Sequence, residues 1–95
     1  MNITGHTLEK LEDPFGLLSG DRYEIFLDLD IDEEDELFSD NGVGLRVLFV
    51  VDENGSKISN YHFFEKGSDK VFDFALEEDE EQIVFDYCQS IIRED

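Results

Sequence analysis

One stretch of this chain decides most of its architecture. Residues 43–51 read Val-Gly-Leu-Arg-Val-Leu-Phe-Val-Val. In an extended strand Val43, Leu45, Val47, Phe49 and Val51 line one face, and Gly44, Arg46, Leu48 and Val50 the other. The first face is wholly apolar and the second is half apolar. A strand apolar on both faces belongs in the middle of a sheet, with cover above and below. The rest of the chain must therefore supply strand neighbours on both edges.

Residues 22–31 supply one neighbour. Tyr23, Ile25, Leu27, Leu29 and Ile31 alternate with Glu24, Phe26, Asp28 and Asp30, the period-two signature of a strand. On the other side, Asp52-Glu53-Asn54-Gly55-Ser56 reads as a hairpin turn into a strand over 57–65. A two-residue Asn-Gly turn sets Asn60 and His62 opposite Phe49 and Val47. A three-residue loop with Gly55 left-handed sets Tyr61 opposite Val47 and Phe63 opposite Leu45. The second register keeps Asn60 off the core face and is preferred, since a one-residue slip exchanges the two faces.

Residues 3–12 read as a first strand, and 71–76 as a last one with Phe72, Phe74 and Leu76 on one face. Asp13-Pro14-Phe15-Gly16 marks a turn or loop between the first two strands. Residues 77–93 form a helix in which Ile83, Val84, Tyr87, Cys88, Ile91 and Ile92 recur at helical spacing. Its all-acidic first turn suits the positive end of the helix dipole. Asp79 and Gln82 have capping-box spacing. The expected fold is α+β: about five antiparallel strands in a meander, with one C-terminal helix packed on one face. Ninety-five residues fit one domain, 1–95, of the common ~100–150-residue size.

Charge narrows the function classes. There are 26 Asp and Glu against 7 Lys and Arg, a net charge of -19. Binding to nucleic-acid phosphates needs clustered cations, and so does an anionic membrane surface, so neither partner is expected. Disorder is not expected either, because nine Phe and three Tyr supply a core. The start, Met1 to Gly5, has no basic and apolar leader pattern, and Val47 to Val51 is far short of the ~20 apolar residues of a membrane span. A cytoplasmic setting is the expectation.

Catalytic and cofactor motifs are missing from the sequence. Asp28-x-Asp30-x-Asp32 begins like a calcium loop, but Glu33 replaces the turn glycine and Ser39 the bidentate glutamate. His6 and His62 would meet only if their strands were neighbours, and a zinc site would need further ligands. Cys88, the single cysteine, sits on the apolar helix stripe and reads as a small hydrophobe. No glycine pattern forms a phosphate loop or a nucleophile elbow. No cofactor is expected.

Two features remain. The first is the acidic segment Asp28, Asp30, Asp32, Glu33, Glu34, Asp35 and Glu36. The second is a surplus apolar sheet face carrying Phe26, Leu48, Val50, Ile58 and Phe64, which one helix on the opposite face leaves uncovered. Either the Phe15-Gly16-Leu17-Leu18 loop folds over that face, or a partner or second copy does. With Phe26, Leu48 and Phe64 as its apolar part, this surface reads as that of a non-enzymatic interaction module for a basic protein or for itself. The rival readings are a DNA-mimic inhibitor of a nucleic-acid-binding protein and a small hydrolase or metal-dependent enzyme.

The N-terminal half carries a further signal. Gly5-His6-Thr7, Leu11-Glu12-Asp13-Pro14-Phe15-Gly16 and Gly20-Asp21-Arg22-Tyr23-Glu24 resemble a small acidic family of unknown function from spore-forming Gram-positive bacteria. Some members of that family carry the label pullulanase. The resemblance implies a bacterial cytoplasmic setting and assigns no functional residue. A starch-debranching enzyme would need a (β/α)₈ barrel of ~250 residues, which 95 residues cannot build.

Repulsion among so many carboxylates opposes the compact state, and salt screens it as the Debye length falls from ~30 Å at 0.01 M to ~8 Å at 0.15 M. Tm is therefore expected to rise with sodium chloride in a calorimetric titration. A flat or falling curve would mean that the acids are locally paired or well separated.

Overall fold

A computed structural model of the chain describes residues 2–12, 20–68 and 70–94. The strands are β1 (Asn2–Leu11), β2 (Asp21–Asp30), β3 (Val43–Asp52), β4 (Gly55–Glu65) and β5 (Val71–Phe72), followed by the helix α1 (Glu78–Glu94). They form one antiparallel sheet in the order β1-β2-β3-β4-β5. The α+β meander expected from the pattern is the observed architecture, and β3 is its central strand. The Phe15-Gly16-Leu17-Leu18 loop and Pro14 lie outside the described residues.

The core forms between the sheet and the helix. Ile25 and Leu27 of β2 and Leu45, Val47 and Phe49 of β3 are completely buried there, with Val84 and Cys88 of α1. Phe85 adds its ring to Phe49, with centroids 5.4 Å apart. The helix packs through Val84, Cys88 and Ile91, flanked by Phe85, Tyr87 and Ile92. Ile83, placed on the stripe by spacing, is instead 45% exposed, and Phe85 takes the flank. The capping box also differs. The first helical bond runs from Glu81 N–H to the Glu77 carbonyl, and Glu80 Oε1 accepts the Glu77 N–H at 3.1 Å. Glu77 and Glu80 thus hold the cap and third positions expected of Asp79 and Gln82.

The hairpin between β3 and β4 has an irregularity that no local pattern announced. From Val43↔Glu65 to Leu48↔Asn60 the register is the preferred one, with Val47 opposite Tyr61 and Leu45 opposite Phe63. It then shifts, and Phe49↔Ile58 leads to Asp52↔Gly55. The loop is thus a two-residue Glu53-Asn54 turn, closed by Asn54 N–H donating to Asp52 Oδ1 at 2.9 Å, with Gly55 at φ 123°. Ser59 is the extra residue, a β-bulge that reconciles the tight turn with the core register. The bulge moves Ile58 onto the Phe49 face, where it packs against the core, so Ile58 is not part of the opposite face.

β5 pairs only Phe63↔Phe72 and Phe64↔Val71. The chain then leaves the sheet rather than continuing as a strand to Leu76. Leu76 is buried, and its N–H donates to the Tyr61 hydroxyl at 2.9 Å, which carries the chain over the core to the helix start. Phe74, expected on the same face as Phe72 and Leu76, is 40% exposed.

The face opposite the helix has its own packing. The Phe64 ring lies across Gly44 and meets Phe26 edge to face at 5.9 Å. A Cβ at Gly44 would overlap Phe64 Cζ and stand 2.8 Å from Cε1. Gly44→Ala is expected to displace that ring and to destabilise the fold by about 1–3 kcal/mol, the usual range for overpacking. Phe64→Leu in the same chain should recover part of the loss in a urea double-mutant cycle, whereas additive effects would show that the two positions are not coupled.

Candidate acidic docking site

The two acidic runs, some forty residues apart in sequence, come together at one end of the sheet. The loop after β2 is folded by its own aspartates. Asp32 Oδ1 accepts the Glu34 N–H at 3.1 Å and Asp32 O accepts the Asp35 N–H at 3.0 Å. Asp35 repeats the arrangement, with Oδ1 accepting from Leu37 N–H and O from Phe38 N–H, each at 3.0 Å. Two successive Asx turns reverse the chain and drive Leu37 into the core at 9% exposure. Asp32 and Asp35 therefore build the loop, which supplies part of the structural reason for this acidic run that the sequence did not reveal.

Beside this loop lie the cap residues of α1. A hollow of about 290 Å³ is lined by Asp30, Ile31, Asp32, Asp35, Leu37 and Glu80, with Asn2 at its edge. A second, of about 240 Å³, has Leu37, Phe63, Phe74 and Ala75 as apolar lining, with Asp35, Glu36, Glu77 and Glu80 as acids. Asp35, Leu37 and Glu80 are common to both, so the hollows adjoin. Among the described residues no Lys or Arg lines either one. Asp30, Asp32, Asp35, Glu36, Glu77 and Glu80 make no ion pair among the described residues.

The other sequence candidates are distributed as follows. Glu33 and Glu34 are exposed on the loop. Asp28 faces away from the helix, opposite Gly44, and its Oδ1 is held by Lys66 Nζ at 2.6 Å. Phe26, Leu48 and Phe64 lie on that same face but are half-buried, and Val50 is buried at 4% exposure. Arg46, two residues before Leu48 on the same face, donates from Nε to Glu24 Oε2 at 3.0 Å. The surplus face is thus less apolar and less open than the alternation implied, and the acidic segment and the Phe26–Phe64 pair are separate features. Sequence reasoning missed Glu77, Glu80 and Phe74 as site residues. The available signal was Leu37-Phe38, an apolar pair at the end of the acidic run, whose leucine reaches the core.

Three chemical candidates resolve structurally. His6 and His62 sit on opposite faces of strands that are not neighbours, so they do not meet. His6 Nδ1 is instead 2.8 Å from the Tyr87 hydroxyl, tying β1 to the helix. Burial pushes the Cys88 thiol up to about 12, far from a thiolate at neutral pH. Among the described residues no group of three or more His, Cys, Asp or Glu is placed to hold a metal ion.

Glu65 anchors the loop carrying the site. Ser39 Oγ donates to Glu65 Oε2 at 2.6 Å and Ser68 Oγ to Oε1 at 2.8 Å. The Ser39 bond, then the Ser68 bond, holds the carboxyl below its usual 4.5. A carboxyl depressed in the folded state contributes stability above its unfolded pKa and loses it as pH falls through the folded one. Glu65→Gln should lower Tm at neutral pH, and the gap from wild type should close as pH falls below about 4.5. A gap that stays constant down to acid pH would exclude this role.

No curated protein and no solved structure matches the chain. A family model does match, over residues 1–95, and its description is a family of unknown function, DUF6509. The chain is a member of that family.

Proposed function

We propose that the domain is a non-enzymatic docking module for a basic segment of a partner protein, which lies across the two adjoining hollows. The supporting observation is a set of six carboxylates without ion-pair partners among the described residues, around an apolar lining that includes Leu37 and Phe74. Lys and Arg suit such a lining, since their aliphatic stems cover apolar surface while their heads reach the acids. At about 290 and 240 Å³ the hollows stand at the small end of the ~300–1,000 Å³ of small-molecule pockets and have the size to accept single side chains. Charge steers the encounter, and the apolar contact sets the residence time. The setting proposed with this role is the bacterial cytoplasm. No helix among the described residues is long and apolar enough to cross a membrane.

The reading is tested by fluorescence anisotropy with a labelled peptide of alternating Lys or Arg and Leu, against its acidic counterpart. Wild type should bind the basic peptide at low salt and lose affinity as salt rises. Glu36→Lys with Phe74→Ala, both at exposed positions, should weaken binding about tenfold or more. Equal affinity for both peptides, or a variant that binds as wild type does, would overturn the proposal. If the partner later isolated by this surface is a nucleic-acid-binding protein that the domain displaces from DNA, the role becomes DNA mimicry.

A further inference from the structure

At the opposite edge of the sheet from β5, we infer a second interaction surface: the outer edge of β1, which pairs with β1 of a second copy of this chain. β1 is ten residues long and no described residue pairs with its outer side. An uncovered edge of this length presents a row of free backbone donors and acceptors, and proteins usually blunt such edges with charge, bulges or short strands. A bulge at Thr4 does so only at the start, where the register shifts between Ile3 and Gly5. From Gly5 to Leu11 the strand is regular. Its two long basic or aromatic polar side chains are drawn onto their own subunit, His6 to Tyr87 and Lys10 to Asp21 at 3.5 Å.

Charge selects the occupant. Within Asn2–Leu11 there is one acid, Glu9, and one base, Lys10, so β1 is formally neutral and the whole -19 resides elsewhere. A basic partner has little to hold at this edge. A second copy meets less repulsion here than it would at the acidic end. The competing edge, β4 beyond β5, is interrupted by the Ser59 bulge, and Asn60 Oδ1 already accepts the Tyr61 N–H at 2.8 Å.

The register follows from symmetry. A two-fold axis perpendicular to the sheet keeps both helices on the same side, so residues of equal parity must face each other. The regular run from Gly5 to Leu11 is centred on Leu8. Pairing its full length antiparallel sets Leu8 against Leu8, His6 against Lys10, and Thr7 against Glu9 twice. Thr7 can donate to the facing carboxylate in both places. Leu8, which packs against the core edge, would extend that core across the axis. The contact is small beside a standard interface of ~1,600 Å², so the dimer should be concentration-dependent.

Light scattering coupled to size exclusion tests this over micromolar to millimolar chain concentration, at salt high enough to screen the acids. The expected mass moves from 11.0 kDa towards twice that value. Thr7→Asp places a like charge opposite Glu9 in both halves and should weaken self-association roughly tenfold. Leu8→Cys in a Cys88→Ala background should oxidise to a symmetric disulfide-linked dimer, and Thr7→Cys in that background should not. A monomer at every concentration and salt overturns the inference. So does a dimer that Thr7→Asp leaves intact, or one in which Leu8→Cys does not cross-link ahead of Thr7→Cys.

Discussion

The fold rests on the burial of β3 on both faces. On the helix side, Val43, Leu45, Val47 and Phe49 are all but inaccessible to water. On the other side Gly44 is roofed by Phe64 and Val50 is buried. Everything else is arranged around that strand. β2 and β4 hydrogen-bond to its edges, α1 covers one face, and the Phe26–Phe64 pair with the Arg46–Glu24 ion pair closes part of the other. Hydrophobic burial of this kind is the dominant favourable term in folding, and here it must hold against the repulsion of a chain carrying -19.

Periodicity made β2 and β3 legible because each has one clear apolar face, whereas β1, with only Ile3, Leu8 and Leu11 apolar, does not alternate. It also revealed the helix, and the preferred pairing of Val47 with Tyr61 was readable because the alternative put Asn60 against the core. What it could not reveal were the places where two good local patterns conflict. The tight Glu53-Asn54 turn and the core register of β4 differ by one residue, and only the Ser59 bulge reconciles them. Spacing placed Ile83 on the helix stripe, but Phe85 packs its ring against Phe49 and takes the flank, leaving Ile83 exposed. Phe74 alternates correctly for a strand, yet the Leu76 bond to Tyr61 pulls the chain off the sheet first.

The candidate site was half legible for the same reason. The acidic segment stands out in the sequence, but its partner elements do not. Asp32 and Asp35 look like surplus charge until their side chains are seen to close two turns. Glu77 and Glu80 look like ordinary helix-start residues, and they are, since they form the cap. That these two structural tasks bring six carboxylates around Leu37 and Phe74 is a tertiary fact, set by the loop and the helix start lying against each other.

The cations explain why the negative potential concentrates there. The three ion pairs among the described residues all involve acids of one strand: Lys10 with Asp21, Arg46 with Glu24, and Lys66 with Asp28. The donors reach β2 from β1, from β3 and from the turn after β4, so the body of the sheet is locally compensated. Asp30, the last residue of β2, has no such partner among the described residues and stands at the rim of the first hollow. Beyond it, every charged residue of the loop (31–42) and of the helix start (77–81) is an acid. Exposed ion pairs contribute little stability each, so the larger effect of this arrangement is on the field. Compensation along β2 leaves a dense cluster of acids without ion pairs among the described residues where the loop after β2 meets the helix start, beside the apolar Leu37 and Phe74, while Asp52 and Glu53 at the hairpin tip are a smaller unpaired group. A chain with its acids evenly spread would repel and attract without direction; this one has an acidic end, and at the β1 edge a formally neutral strand.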